Sequence, residues 1–200
     1  MVLLVLCVLG AAVVTFDLQR AQNLLTFLPL LNAGLSQGDL ADVLSSGQWW
    51  RLWTPMFLHF GAIHLVFNSL WLWEFGRRIE VLQGHRRLLA LVLVIGFGSN
   101  MAQYLATGPV LFGGMSGVVC GLVGYCWGWS LMRPGQDFGM PKTLYVVFIG
   151  MILAMWAVGG ALTQFGFPAV ADAAHIGGFV VGWLVGVVLG RFAATGQHGY

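Results

Sequence analysis

The chain reads as an all-α, polytopic membrane protein, and three observations predict it. Hydrophobic residues fill 58% of its 200 positions and charged residues only 8%, where an ordinary soluble domain carries about 25% charge. Mean hydropathy is +0.84. The apolar residues also gather into long runs separated by short polar stretches, the pattern of successive membrane-spanning helices. The same composition excludes other classes. A net charge of +2 with no basic block or aromatic–basic interleaving argues against a nucleic-acid partner. Cys7, Cys120 and Cys126 all lie inside apolar runs and form no CxxC pair, so they suit small buried positions better than a disulfide framework or a zinc ribbon.

Six runs are predicted to span. The first covers Val2 to Phe16. At 1.5 Å per residue it reaches about 22 Å, short of a hydrocarbon core of roughly 30 Å, so it is expected to continue past Leu18. A signal peptide is the competing reading, disfavoured because no Lys or Arg precedes the apolar stretch. The second run covers His64–Gly76, starting near Phe60. The third is Leu88–Ala106, the fourth Gly114–Met132, the fifth Thr143–Thr163 and the sixth Ala173–Phe192.

The basic residues orient these spans. Arg77, Arg78, Arg86 and Arg87 follow run two, Arg133 and Lys142 follow run four, and Arg191 closes run six. With six spans these all fall on one side, leaving Arg20 and Arg51 on the other. Both termini are then expected in the cytoplasm of a multi-pass protein of the cell (inner) membrane. The connection from Asp17 to His59 is long, and "NLLTFLPLLNAGL" and "WWRLW" within it have the apolar and aromatic character of a segment lying at the membrane interface. The other loops are short. Residues 1–200 therefore read as a single membrane domain with no separate soluble domain.

Polar groups at membrane depth are costly and normally face the bundle interior or a water-filled cavity. Run two carries His64, Asn68 and Glu74, run three Ser99, Asn100 and Gln103, run four Ser116, and run six His175. His64 and Asn68 are four apart and share one helix face. Both lie toward the outward end of run two, as Ser116 does in run four and His175 in run six. A serine, two histidines and an asparagine thus reach one depth on one side of the membrane.

Hydropathy fixes depth but not azimuth, and glycine supplies part of the latter. Gly178, Gly182, Gly186 and Gly190 repeat every four residues, with His175 one turn before them. Gly117 and Gly121, and Gly124 and Gly128, make GxxxG pairs in run four. Small residues at this spacing let two helix backbones approach closely. If runs four and six pack through these faces, Ser116 and His175 come within hydrogen-bond reach, as a serine needs if a histidine is to take its proton.

Other chemistries fit the inventory poorly. A zinc protease wants HExxH on a helix, whereas His59 and His64 are five apart with no Glu between them, and no metal or other cofactor is expected. An aspartyl intramembrane protease needs two Asp within spans, and Asp17, Asp39, Asp42, Asp137 and Asp172 all fall in predicted loops. An α/β-hydrolase elbow needs a preceding strand and a Gly two residues after the serine, where Val118 stands. A transporter would be expected to show two related halves with broken helices, and no such repeat is found.

The motifs resemble those of the rhomboid intramembrane serine proteases, of the six-span bacterial type, along nearly the whole chain. Gly114-Met115-Ser116-Gly117 is similar to the family's GxSG motif, "HFGAIHLVFN" (59–68) to its second-helix motif, and "AHIGGFVVG" (174–182) to its AHxxGxxxG motif. Trp50-Arg51 is similar to the WR pair of its long first loop, and Glu80 with Gly84 to an ExxxG element. The resemblance implies a compact six-helix bundle with Ser116 as nucleophile and His175 as general base in a dyad without a third carboxylate. It implies an oxyanion site made by the backbone N–H of Ser116, the side chains of His64 and Asn68, and the Met115 N–H. Trp50, Arg51, Glu80, Gly114, Gly117, Gly178 and Gly182 would be structural. Substrates would be single-span membrane proteins passing from the lipid bilayer between the second and fifth helices, with Phe67, Trp71 and Trp156 as gate residues. The site would open to the outer side. The alternative is a catalytically inactive relative that binds membrane clients; intact Ser116 and His175 argue against it. One departure stands out: many rhomboids carry an aromatic ring one turn after the serine, and here that position is Cys120.

Overall fold

The computed structural model describes residues 2–27, 30–31, 36–37, 40–108, 110–136, 138–164 and 171–195. Among them the regular structure is helical apart from one short antiparallel pair. The elements are α1 (Val2–Phe16), α2 (Leu18–Leu25), β1 (Leu30–Leu31), β2 (Ser36–Gln37), α3 (Leu40–Ser45), two 3₁₀ turns (Trp49–Leu52 and Thr54–Phe57), α4 (Ala62–Gln83), α5 (His85–Thr107), α6 (Ser116–Met132), α7 (Lys142–Gln164) and α8 (Asp172–Thr195). Leu30 pairs with Gln37 and Leu31 with Ser36.

All six predicted runs are helices. α4 extends well beyond the expected Gly76, because Glu74, Arg77, Arg78 and Glu80 end the apolar run without breaking the helix. The helix stops at Gly84, whose φ of 85° is left-handed and so favours glycine. Arg78 donates to the Glu74 carboxylate and to the carbonyls of Phe138 and Gly139, tying this charged end to the loop before α7. The first run does not continue past Phe16; Asp17 instead caps α2 by accepting the Arg20 N–H at 2.9 Å, satisfying one of the free donors of a helix N-terminus. Asp42 and Asp172, expected in loops, lie in the first turns of α3 and α8, where a carboxylate suits the positive end of a helix. Asp39 and Asp137 lie outside the described residues.

Length and apolar composition suffice for crossing a bilayer in α5, in Lys142–Gly159 of α7 and in Asp172–Ala193 of α8, while α1 and α6 are apolar but shorter. Large apolar side chains such as Ile63 (87%) and Phe192 (71%) stand exposed on the outside of the bundle. In water such a surface is an aggregation patch; around an integral membrane protein it is the face that lipid covers.

α6 is the central post. It is buried without interruption from Gly117 to Cys126, as a helix apolar all round must be. Its most extensive contact is with α8. A Cβ on Gly178 would collide with the Gly117 carbonyl, on Gly182 with that of Gly121, on Gly124 with that of Phe179, and on Gly186 with that of Tyr125. The two backbones are therefore in direct contact along about two and a half turns, which only glycine allows. On the other side of α6, Phe75, Ile79, Val92, Ile95, Leu122 and Val123 form the apolar core with α4 and α5.

The long first connection is ordered by its own polar groups. The last carbonyls of α2 have no intrahelical donor, and the following turns supply them. The Trp50 indole N–H donates to Leu24 O at 2.9 Å, Thr54 Oγ1 to Leu25 O at 2.7 Å, and the buried Arg51 guanidinium to Asn23 O and, at 3.0 Å, to Thr26 O. Arg51 Nε also donates to Gln48 Oε1 at 2.7 Å. Burial lowers the pKa of Arg51 from its ordinary value, but three such acceptors help a guanidinium to stay charged where little water reaches it.

Candidate active site

Ser116 is the first residue of α6, and the loop before it is laid on the first connection. Gly114 N donates to Pro55 O at 2.9 Å and Met115 N to His59 Nε2 at 3.4 Å. Gly114 has φ 122°, and a Cβ there would meet His64 Nε2 at 2.7 Å. Glycine at this position thus lets the chain turn into α6 and lets the His64 ring lie against the turn.

α8 brings His175 to the same point. Its Nε2 lies 2.7 Å from Ser116 Oγ, the separation of a hydroxyl–imidazole hydrogen bond. His175 is buried and Ser116 partly so. Among the described residues no carboxylate bonds to His175; the nearest in sequence, Asp172, faces Gly159 of α7, where a Cβ would meet its Oδ2 at 2.6 Å.

Ser116, His175, His64 and Asn68 line one cavity of about 480 Å³. Its walls come from Phe67 and Trp71 of α4 and from Phe148, Met151, Ile152 and Met155 of α7. The Trp71 ring packs edge-on against Phe148 with centroids 4.7 Å apart, and among the described residues its buried Nε1–H has no acceptor. Asn68 Nδ2 donates to His64 O at 3.0 Å within α4. Cys120, one turn after the serine, also lines the cavity, and among the described residues no aromatic ring stacks on His175.

The polar residues predicted at one depth therefore do meet. Gly117, Gly178 and Gly182 lie in the α6–α8 contact, and Trp50 and Arg51 in the capping of α2. Glu80 is exposed, and its backbone carbonyl accepts the Gly84 N–H at 2.9 Å. Two expectations are revised. Trp156 does not line the cavity. It is 62% exposed and borders a separate hollow of about 460 Å³ with Gln103, Thr107 and Asp172. The cavity-facing stripe of α7 runs Phe148, Met151, Ile152, Met155, and residue 156 falls about 100° further round the helix. The Met115 N–H, expected among the oxyanion donors, is already engaged by His59.

His59 was not singled out for a role from the sequence. Its Nδ1 lies 3.0 Å from Phe57 O, so Nδ1 carries the proton and Nε2 is free to accept from Met115 N. Burial, with the nearby His64 ring in a lesser part, pushes its pKa down to about 4 against a smaller upward pull from the Phe57 carbonyl. His59 is thus a neutral brace beneath the serine loop. Its membership of the 59–68 motif was the available signal; the partner was not visible, because it comes from a loop 56 residues away.

Residues 46–192 match the family described as Rhomboid domain. Similar curated proteins include the "Rhomboid protease GlpG" of Serratia proteamaculans, 40% identical over 113 residues that cover 56% of this chain and 38% of that protein. The "Rhomboid protease GlpG homolog" of Cronobacter sakazakii is 36% identical over 119 residues, covering 60% and 41%. The GlpG of Pectobacterium atrosepticum is 35% identical over 113 residues, covering 56% and 39%. The matched part of this chain spans about two fifths of the length of these relatives.

Proposed function

The chain belongs to the rhomboid family, and from that premise we propose that it is a serine endopeptidase that cuts single-span membrane proteins in or beside their transmembrane segment. The observation that carries this reading is the 2.7 Å contact between Ser116 Oγ and His175 Nε2 at the base of a cavity walled by α4 and α7. His175 Nε2 takes the Ser116 proton as Oγ attacks the scissile carbonyl, then returns it to the leaving amine, and a water repeats the cycle on the acyl-enzyme. No carboxylate is needed: neutral imidazole already accepts from the hydroxyl.

The oxyanion is received by the N–H of Ser116, in the first turn of α6 where amides lack intrahelical acceptors, and by the side chains of His64 and Asn68. All three sit around the cavity, and preorganised donors of this kind are a main source of rate in acyl transfer. α1, α4, α5, α6, α7 and α8 form six spans in a single domain, with the termini and Arg77, Arg78, Arg86 and Arg87 in the cytoplasm of a cell-membrane protein. The cavity then opens outward, so water reaches the dyad. Substrate enters from the lipid bilayer between α4 and α7, past Phe67, Trp71 and Phe148. The reaction involves no metal, cofactor or nucleic acid.

The test is cleavage of a single-span reporter in liposomes by wild type, Ser116→Ala and His175→Ala. Wild type is expected to cut and both variants to lose at least 10³-fold in rate, roughly the effect of losing a nucleophile or its base. Cleavage that survives Ser116→Ala sinks the assignment. Binding of the reporter without cleavage by wild type identifies a client-binding relative instead.

A further inference from the structure

α5 contributes no side chain to the cavity around Ser116 and His175, yet it holds the peptide next to His175 from both sides. Ser99 Oγ donates to Ala174 O at 3.0 Å, and Gln103 Oε1 accepts the Ala174 N–H at 3.0 Å. Ser99 and Gln103 are both buried and lie four apart, on one face of the helix. Ala174 is in the first turn of α8, where the first backbone bond is His175 N to Ala171 O at 3.2 Å. Its N–H is thus one of the donors a helix leaves free, and Gln103 caps it from a neighbouring helix.

The amide of Gln103 is oriented for this task. Its Nε2 donates to Thr107 Oγ1 at 3.2 Å, while the Thr107 hydroxyl donates to Gln103 O at 2.9 Å. With Nε2 committed to Thr107, Oε1 is the end that faces Ala174. The Ser99 side is equally constrained. A Cβ on Gly117 would strike Ser99 Oγ and come within 3.2 Å of Ala174 O. Gly117 follows Ser116, and Ala174 precedes His175. One hydroxyl of α5 therefore sits where the helix bearing the serine and the helix bearing the histidine touch.

Resting on the reading of Ser116 and His175 as nucleophile and base, we propose that Ser99 and Gln103 are positioning residues that clamp the Ala174 peptide and so set the His175 ring against Ser116. Neither touches the reacting atoms. Their loss lets the first turn of α8 relax, and a shift of about 1 Å at a catalytic pair can cost on the order of 10²-fold. The effect falls on the chemical step, because neither residue lines the substrate cavity.

Ser99→Ala, Gln103→Leu and Gln103→Glu are compared with wild type and Ser116→Ala in liposomes. Cleavage of the single-span reporter gives kcat and KM, the rate of fluorophosphonate labelling reports Ser116 reactivity without substrate, and melting temperature reports the fold. Ser99→Ala and Gln103→Leu are expected to lower kcat and labelling together by about tenfold or more, with KM within about twofold and melting lowered by only a few degrees. Gln103→Glu keeps the Oε1 acceptor and is expected to retain most of kcat. Wild-type kcat in both Ser99→Ala and Gln103→Leu, or equal losses in Gln103→Glu and Gln103→Leu, overturns the clamp while an inactive Ser116→Ala leaves the protease reading standing. Failure of wild type to cut or label removes both. Ser99→Ala decides the matter even if Gln103→Leu does not fold, since the Ala174 carbonyl keeps its intrahelical donor.

Discussion

The α6–α8 seam and the α4–α7 mouth border the same serine and are built in opposite ways. In the seam, backbone lies on backbone at glycine after glycine, carbonyl against Cα. At the mouth, α7 meets α6 and α8 only sparsely and reaches α4 through rings, Trp71 and Phe75 against Phe148. The seam has one arrangement, because a carbonyl against a Cα cannot be repacked. The mouth has many, because aromatic rings and the methionines at 151 and 155 have rotamers to exchange. The protease reading proposed above calls for this division: Ser116 and His175 held by the seam, beside a wall that can part.

That contrast breaks most severely if the seam is filled. Gly182→Val places a branched side chain on the Gly121 carbonyl; overpacking of this kind costs about 1–3 kcal/mol or more, and here no side chain is available to yield. Melting temperature and cleavage are expected to collapse together, and an active Gly182→Val protein would show that the seam is not what fixes the dyad.

Asn68→Ala separates chemistry from fold. Among the described residues Asn68 bonds only within α4, so its removal is expected to cost turnover about 10²-fold, as loss of one oxyanion donor does, with little change in melting temperature. Equal losses in both would make Asn68 structural.

Phe67→Ala probes the mouth. Phe67 is 52% exposed, and its truncation is expected to change stability by about 0.5 kcal/mol or less while raising reporter cleavage a few-fold by widening the passage between α4 and α7. A fall in stability comparable to that of a seam variant would erase the distinction between the two regions.

The comparison also bears on the pH dependence of the fold. His59 is held near pKa 4 against an ordinary 6.5. The unfolded chain therefore binds a proton more readily than the folded one, and stability is lost as pH falls from about 6.5 toward 4, with no contribution from this group above that window. Melting temperatures of wild type and His59→Gln at pH 7.5 and pH 5 are expected to diverge, with the wild type falling further. Parallel slopes would mean that His59 is not kept neutral beneath Met115.

Some of this was legible in the sequence and some was not, residue by residue. Four-residue glycine spacing named the faces of α6 and α8 that touch, because a backbone contact repeating each turn admits nothing larger. The i, i+4 pair His64 and Asn68 was legible for the same reason of helical geometry. Trp156 rested on the resemblance alone, and one residue beyond Met155 the helix turns its side chain toward a separate hollow rather than the cavity. Ser99 and Gln103 stood out as polar groups at membrane depth, but their partner is the backbone of Ala174, and a backbone group carries no sequence signal. The same holds for Arg51, two of whose acceptors are the backbone carbonyls of Asn23 and Thr26.

By itself, then, the sequence determined the six long apolar helices and the face along which α6 and α8 approach, because periodicity and transfer energy act locally. The tertiary structure alone decided which polar group meets which: His175 on Ser116, His59 under Met115, Ser99 and Gln103 about Ala174. Those pairings join residues more than fifty positions apart, and they arise only when helix rotation and the path of the first connection are settled together.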